Sequence, residues 1–132
     1  MKLTDDELTR LAASAVMGWE VYTIGREIAL DATVTRFIQK SESHWAAYRP
    51  DGLDDWTPPL TDWRAAGEIV DKMRADGWAL LLVQRNKTYC AVFVPSGLNA
   101  GYQVENDGDE SPPRAITIAA LFTLGAVTQE QV

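Results

Sequence analysis

The sequence predicts an α+β fold in which a small antiparallel sheet is layered with helices, in the order helix, strands, helix, hairpin, helix. Three observations predict it: an N-terminal helix with a clear start signal, two apolar runs joined by a short polar turn, and an apolar helix near the C-terminus. The 132 residues are the size of one ordinary domain, and no long linker divides them. We therefore expect residues 1–132 to form a single α+β domain.

The first helix begins at a recognisable cap. Thr4 and Glu7 have the spacing of a capping box, in which each side chain satisfies a free backbone N–H of the other residue. Leu3 and Leu8 stand at the two positions of a hydrophobic staple around that cap. Gly18 is well placed to end the helix, because glycine readily adopts the left-handed conformation found there.

The segment that follows has the composition of β structure. Residues 19–24 are mainly aromatic and β-branched, which predicts a strand. Residues 25–43 are compatible with one bent strand, two short strands, or part of a helix, followed by a polar loop. Residues 44–48 are compatible with a short strand or a loop. The sequence thus predicts strands here and leaves their layout open.

A second helix follows a loop of turn-forming residues at positions 49–60. Thr61 is the expected N-cap, with Asp62 in the first turn. Apolar residues then recur at helical spacing from Trp63 to Met73, and Gly77 marks the expected end of the helix.

A β-hairpin is predicted from two apolar runs, residues 78–84 and 89–94, on either side of a short polar turn. Both alternating sets of side chains in the first run are apolar, so we expect this strand to be central and covered on both faces. Cys90, the only cysteine, lies in the second run. We expect it to be a small buried residue and not a reactive thiol.

The last helix is predicted to be largely buried, because it is apolar most of the way round, with Phe122 on its main apolar face. Ser111 is its expected N-cap, and Pro112 occupies the first helical position, where a missing N–H costs nothing. Gly125 should end the helix, and the tail to Val132 is expected to fray.

Five tryptophans are present, and their positions suggest different roles. Trp19, Trp63 and Trp78 stand at the starts of predicted elements and are expected in the core or at its edge. Trp45 and Trp56 lie in polar surroundings. Each of these two either covers an edge of the core or serves as an aromatic contact for a partner.

The charge balance disfavours direct contact with nucleic acid. The chain has 12 basic and 19 acidic residues, for a net charge of −7, and no cluster of lysine and arginine. No apolar run is long enough to span a membrane, and the polar, acidic first residues do not resemble a signal peptide. We therefore expect no membrane association and a cytoplasmic location.

The residues needed for common catalytic and metal chemistry are scarce. One histidine and one cysteine cannot form a zinc site of the usual kind, and no phosphate-binding glycine loop or nucleophile elbow occurs. His44 is interpreted as an ordinary residue, and the acidic runs at residues 51–55 and 105–110 as solvated loops. We therefore expect no metal, no cofactor and no enzymatic activity.

Three motifs in a fixed order suggest a family. They are Met17-Gly18-Trp19-Glu20, Trp56-Thr57-Pro58-Pro59-Leu60-Thr61-Asp62-Trp63 and Ser111-Pro112-Pro113-Arg114-Ala115-Ile116. The first directly follows the capped helix, and the other two each lead into a further helix. In this arrangement the chain resembles the small phage and prophage proteins of the phage ABA sandwich domain family. The resemblance implies helix and sheet layers and a bacterial host cell, but no catalytic site.

Together these observations favour a non-enzymatic phage accessory protein that binds and modulates a host protein, such as an anti-defence inhibitor of the anti-CRISPR kind. Acidic loops could then mimic phosphates towards a basic partner surface. The candidate partner-binding residues are Trp45, Asp51, Asp54, Asp55, Trp56, Glu105, Asp107, Asp109 and Glu110.

Two other hypotheses stay open. One is a binder of a small ligand or nucleotide, with Arg36, Arg49 and Arg114 as the available cations. The other is a phage structural or assembly module, which predicts a defined homo-oligomer and no host partner.

Overall fold

A computed structural model describes residues 2–19, 21–23, 45–47, 59–97, 109 and 111–132. Its elements are α1 (Asp5–Leu11) continued by a π-helical turn (Ala12–Val16), β1 (Val21–Thr23), β2 (Trp45–Ala47), α2 (Trp63–Ala75), β3 (Trp78–Arg85), β4 (Thr88–Pro95), α3 (Pro112–Thr123) and a short 3₁₀ helix (Gln129–Gln131). The predicted α+β class and element order are confirmed.

Helix α1 starts and stops where the sequence predicts. The Glu7 amide donates to Thr4 Oγ1 at 3.1 Å, and the Thr4 amide donates to Glu7 Oε1 at 3.2 Å. Leu8 is fully buried next to this capping box. After the π-helical turn the chain leaves the helix at Gly18, whose φ is +71°. This places the Trp19 side chain in the core.

The short strands β1 and β2 form an antiparallel pair, with Val21 opposite Ala47 and Thr23 opposite Trp45. The strand predicted at residues 19–24 is therefore confirmed in shorter form, and the segment at 44–48 contains a strand. The layouts considered for residues 25–43 lie outside the described residues.

The predicted hairpin is confirmed, with β3 and β4 in register from Trp78 opposite Pro95 to Arg85 opposite Thr88. The turn requires a positive φ of 52° at Asn86, a residue type that tolerates the left-handed region.

The expectation that the first hairpin strand is central and covered on both faces is wrong. The side chains of β3 are half-buried from Trp78 to Leu81 and exposed from Leu82 to Arg85. Strand β4 is the strand buried on both faces, because Cys90 on one face and Phe93 on the other are each at most 4% exposed. It also forms a bridge to Asp109 on the side away from β3. The prediction that Cys90 is buried is confirmed.

Helix α2 begins one residue later than expected. Its N-cap is Asp62, whose Oδ1 accepts the Arg64 amide at 2.9 Å, so the expectation that Thr61 is the cap is wrong. Ala66, Ile69 and Met73 are completely buried along one face of the helix. The helix ends at Asp76 and Gly77 as predicted, with φ of +96° at the glycine.

Helix α3 is the most apolar and most deeply buried helix of the described chain. It packs against β4, α2 and the π-helical turn. Ser111 is its N-cap by position, and Pro112 starts it as predicted, but the Ser111 hydroxyl makes no capping bond. The buried face includes Ile116 and Ala120, whereas Phe122 is 39% exposed. The placing of Phe122 on the core face is therefore wrong.

The C-terminal tail does not fray. The Leu3 amide donates to the carbonyl of Gln131 at 2.7 Å, and Val127 is 5% exposed in the core. Val132 also packs against the core cluster. The prediction of a frayed tail is wrong because a tertiary backbone bond and two apolar contacts hold the tail.

Two of the family-like motifs contact each other through the start of α3. The Thr117 hydroxyl lies 3.2 Å from the Pro59 carbonyl and 2.8 Å from the Pro113 carbonyl. The Ser111 hydroxyl donates to the Leu60 carbonyl at 3.4 Å. Thr117 is fully buried, so its hydroxyl needs these partners. The segment before α2 is thereby fixed to α3.

We expect Thr117→Val to lower the free energy of unfolding by about 1–3 kcal/mol, because it removes a buried hydroxyl that joins two elements. The matched control is Thr123→Val in the same helix, since the Thr123 hydroxyl bonds locally to the Ala119 carbonyl at 2.8 Å. The control should cost less than about 0.5 kcal/mol. Urea unfolding followed by circular dichroism measures the free energy of unfolding of both variants. Equal losses of stability would contradict the proposal that the Thr117 hydroxyl joins the two elements.

Candidate interaction surface

Asp109 is the candidate partner-binding acid whose surroundings the structure describes. Its backbone forms two bonds with Tyr89, at 2.7 and 3.0 Å. Its carboxylate accepts the Ser111 amide at 3.0 Å and pairs with Arg114 Nε, also at 3.0 Å. Asp109 is therefore held by β4 and by the start of α3, which gives its carboxylate a role inside the fold. Its role towards a partner stays a prediction.

Arg114 is shared between two carboxylates. Besides Asp109 it pairs with Asp5 in the first turn of α1, and its side chain is 27% exposed. Arg114 was also a candidate cation for a small ligand. A ligand phosphate would have to compete with both carboxylates for the same guanidinium, which disfavours that use.

The remaining candidates divide into two groups. Trp45 lies in β2, with its backbone opposite Thr23. The others fall outside the described residues, and their roles stay predictions: Asp51, Asp54, Asp55, Trp56, Glu105, Asp107 and Glu110.

Trp63 is the most exposed large apolar side chain in the described part of the chain, at 58% of its surface. Its expected place in the core or at the core edge is therefore wrong, whereas Trp19 is buried at 8% and Trp78 packs against the core. The buried face of α2 is centred near Ile69, and at 3.6 residues per turn Trp63 lies roughly a third of a turn away from it.

Two further residues share the exposed side of α2 with Trp63. Gly67 and Val70 follow it at four and seven residues, a spacing that places all three along one stripe of a helix. Both are partly exposed. A Cβ atom added at Gly67 would meet nothing within 4 Å, so the chain itself gives no packing reason for a glycine there. We call Trp63, Gly67 and Val70 the α2 face.

The charges near the C-terminal end of α2 compensate one another. Lys72 Nζ lies 2.8 Å from Asp76, and Arg74 lies 3.5 Å from Asp71. Both pairs are local to the helix and partly or largely exposed, so they add little stability. The α2 face is therefore an apolar stripe beside paired charges.

The sequence contained a signal for the α2 face that the periodicity argument missed. A glycine in the middle of a helix is disfavoured by about 1 kcal/mol relative to alanine. Gly67 lies one turn after a tryptophan that stands between Asp62 and Arg64.

Neither a metal site nor a membrane span was found in the described part of the chain. Among those residues no group of three or more histidine, cysteine, aspartate or glutamate side chains could hold an ion. The described helices are also too short or too polar to cross a bilayer. His44 lies outside the described residues.

Comparison with known proteins identifies the family. The family model described as phage ABA sandwich domain matches residues 10–121, which include all three motifs named above. No curated protein and no solved structure matches the chain. Because the matched region covers most of the 132 residues, this chain is a phage protein that belongs to the phage ABA sandwich domain family.

Proposed function

We propose that this phage protein is a non-enzymatic accessory protein that binds and modulates a host protein, and that the α2 face is its contact surface. The observation that carries the proposal is the exposure of Trp63, at 58%. Tryptophan is enriched at the centres of protein interfaces because it offers a large, stiff contact area. A component of a host defence system is the partner class that fits a phage accessory protein.

Gly67 supports the same surface independently. Glycine within a helix lowers stability by about 1 kcal/mol relative to alanine, and here no neighbouring atom requires it. A helix can be approached closely where a side chain is missing. A partner side chain inserted beside Trp63 would occupy this space. Partner binding would then explain the glycine, which the described packing does not.

The charge of the chain bears on the kind of partner. A net charge of −7 attracts basic protein surfaces and speeds encounter with them. A host protein that binds nucleic acid carries such a surface. The acidic candidates at residues 51–55 and 105–110 would add to this attraction.

The non-enzymatic part of the proposal rests on the residue inventory. One histidine and one cysteine are present in the whole sequence, and the cysteine is 1% exposed. A buried thiol in apolar surroundings is a poor nucleophile. The Arg114 guanidinium and the Asp109 carboxylate are paired with each other.

We expect Trp63→Ala to reduce capture of the host partner from lysate at least about tenfold, while changing the free energy of unfolding by less than about 0.5 kcal/mol. Affinity capture of the tagged protein with quantitative mass spectrometry measures the first quantity, and urea unfolding the second. The matched control is Phe122→Ala, which truncates an aromatic residue of α3 that is 39% exposed. If the wild-type protein captures no host protein, or if both variants capture it equally, the proposal is wrong.

Gly67→Ala should separate stability from binding. We expect the free energy of unfolding to rise by up to about 1 kcal/mol, because alanine is the better helix former and its Cβ meets nothing. Capture of the partner should fall, because the added methyl group fills the approach beside Trp63. Ala75→Gly, at the end of the same helix, is the control that lowers stability and should leave capture intact. A more stable Gly67→Ala protein with undiminished capture would refute this use of the glycine.

A further inference from the structure

Within the described residues, no second strand lies beside the outer edge of β3. Among the described strands, β4 is the one that pairs with β3. Strand β4 is flanked on both sides, by β3 and by Asp109. Every second residue of β3 therefore directs its backbone N–H and C=O groups away from β4.

The register shows which backbone groups face outward. In a two-residue hairpin the residues flanking the turn, here Arg85 and Thr88, form a hydrogen-bonded pair, and the pairs then alternate. Leu80, Leu82 and Gln84 consequently direct their N–H and C=O groups away from β4. Tyr89, which lies opposite Gln84, agrees with this pattern because it uses its outward groups to bond Asp109.

The side chains along this edge lack the usual protection against pairing. Natural edge strands carry charges, prolines or bulges that prevent another strand from adding to them. Residues 78–84 contain neither a charge nor a proline, and they read Trp-Ala-Leu-Leu-Leu-Val-Gln. Leu82 and Val83, on opposite faces of the strand, are 38% and 37% exposed. An apolar edge of this length is stable in solution when a further strand covers it.

We propose that the covering strand is β3 of a second copy of this chain, paired antiparallel about a two-fold axis at Leu82. The two hairpins then form one four-stranded sheet. This register exchanges about six backbone hydrogen bonds, through Leu82 with its counterpart and through Leu80 with Gln84 in both directions. An isologous contact of this kind uses the same edge of both copies and therefore closes after two copies.

Charge and side-chain pairing favour a second copy as the occupant. The register places Val83 opposite Leu81 and Arg85 opposite Ala79 of the second copy, so apolar side chains meet and no like charges are opposed. It also brings Lys87 of the turn opposite Gly77 of the second copy, directly beside Asp76 there. The hairpin itself, residues 78–95, contains no acidic residue, so the net charge of −7 lies away from the joint.

The mass of the purified full-length chain in solution tests this proposal. By light scattering after size exclusion we expect a dimer, at twice the 14.6 kDa chain mass. Leu82→Lys should raise the dimer dissociation constant at least about tenfold, because two lysines then face each other across the axis. The matched control is Leu124→Lys, which makes the same change at a leucine that is 39% exposed on another element, and it should remain dimeric.

A pair of oppositely charged variants distinguishes loss of dimerisation from loss of folding. Leu82→Glu should also be monomeric alone, and an equimolar mixture with Leu82→Lys should recover a dimer containing one of each, seen by native mass spectrometry. Far-ultraviolet circular dichroism establishes that the variants are folded. A monomeric wild-type chain at its highest soluble concentration, a Leu82→Lys protein that stays dimeric, or a mixture that fails to pair would overturn the proposal. Capture of a host protein is a separate readout, so failure here leaves the proposed function standing.

Discussion

The burial of α3 is the constraint on which the other described elements depend. This helix contacts β4 on one side and α2 and the π-helical turn on the others. A helix that is apolar nearly all the way round is stable in water only when neighbours cover it on most sides. Thr117, completely buried within α3, holds the carbonyl of Pro59 and so fixes where α2 begins. The arrangement of α1, α2 and the hairpin follows from covering this one helix.

This constraint explains why the family motifs do not point to an activity. Trp19 is buried in the core, and Leu60 is held against the start of α3 by Ser111. Arg114 joins α3 to α1 through Asp5 and, through Asp109, to β4. Each motif therefore contributes at least one described residue that is held by contacts within the fold. Trp63, at the end of the second motif, differs because most of its surface faces solvent. The second motif therefore contains both a residue that packs within the fold, Leu60, and a residue that is exposed on its surface, Trp63.

Local signals were sufficient to predict the three α-helices and the hairpin, whereas the exposure of their faces depended on tertiary contacts. The capping box at Thr4, the hairpin and the end of α2 at Gly77 are encoded by a few neighbouring residues, and all three are confirmed. Whether β3 or β4 is the more buried strand depends on tertiary contacts. One such contact is the bridge between β4 and Asp109, some twenty residues further along the chain. Likewise the tail is ordered by a bond to Leu3 at the other end of the chain, which no local pattern indicates. Asp109 was proposed as a partner-binding residue from composition, and that role stays a prediction. Trp63 was assigned to the core because its spacing from Ala66 fits a buried stripe.

The two proposed surfaces, the α2 face and the outer edge of β3, lie on different elements. The most direct test of the central claim, that the α2 face contacts the host partner, is hydroxyl-radical footprinting of Trp63 in the free and the partner-bound protein. We expect rapid oxidation of Trp63 in the free protein and strong protection in the complex, with the buried Trp19 slow to react in both. Equal oxidation of Trp63 in the two states would contradict it.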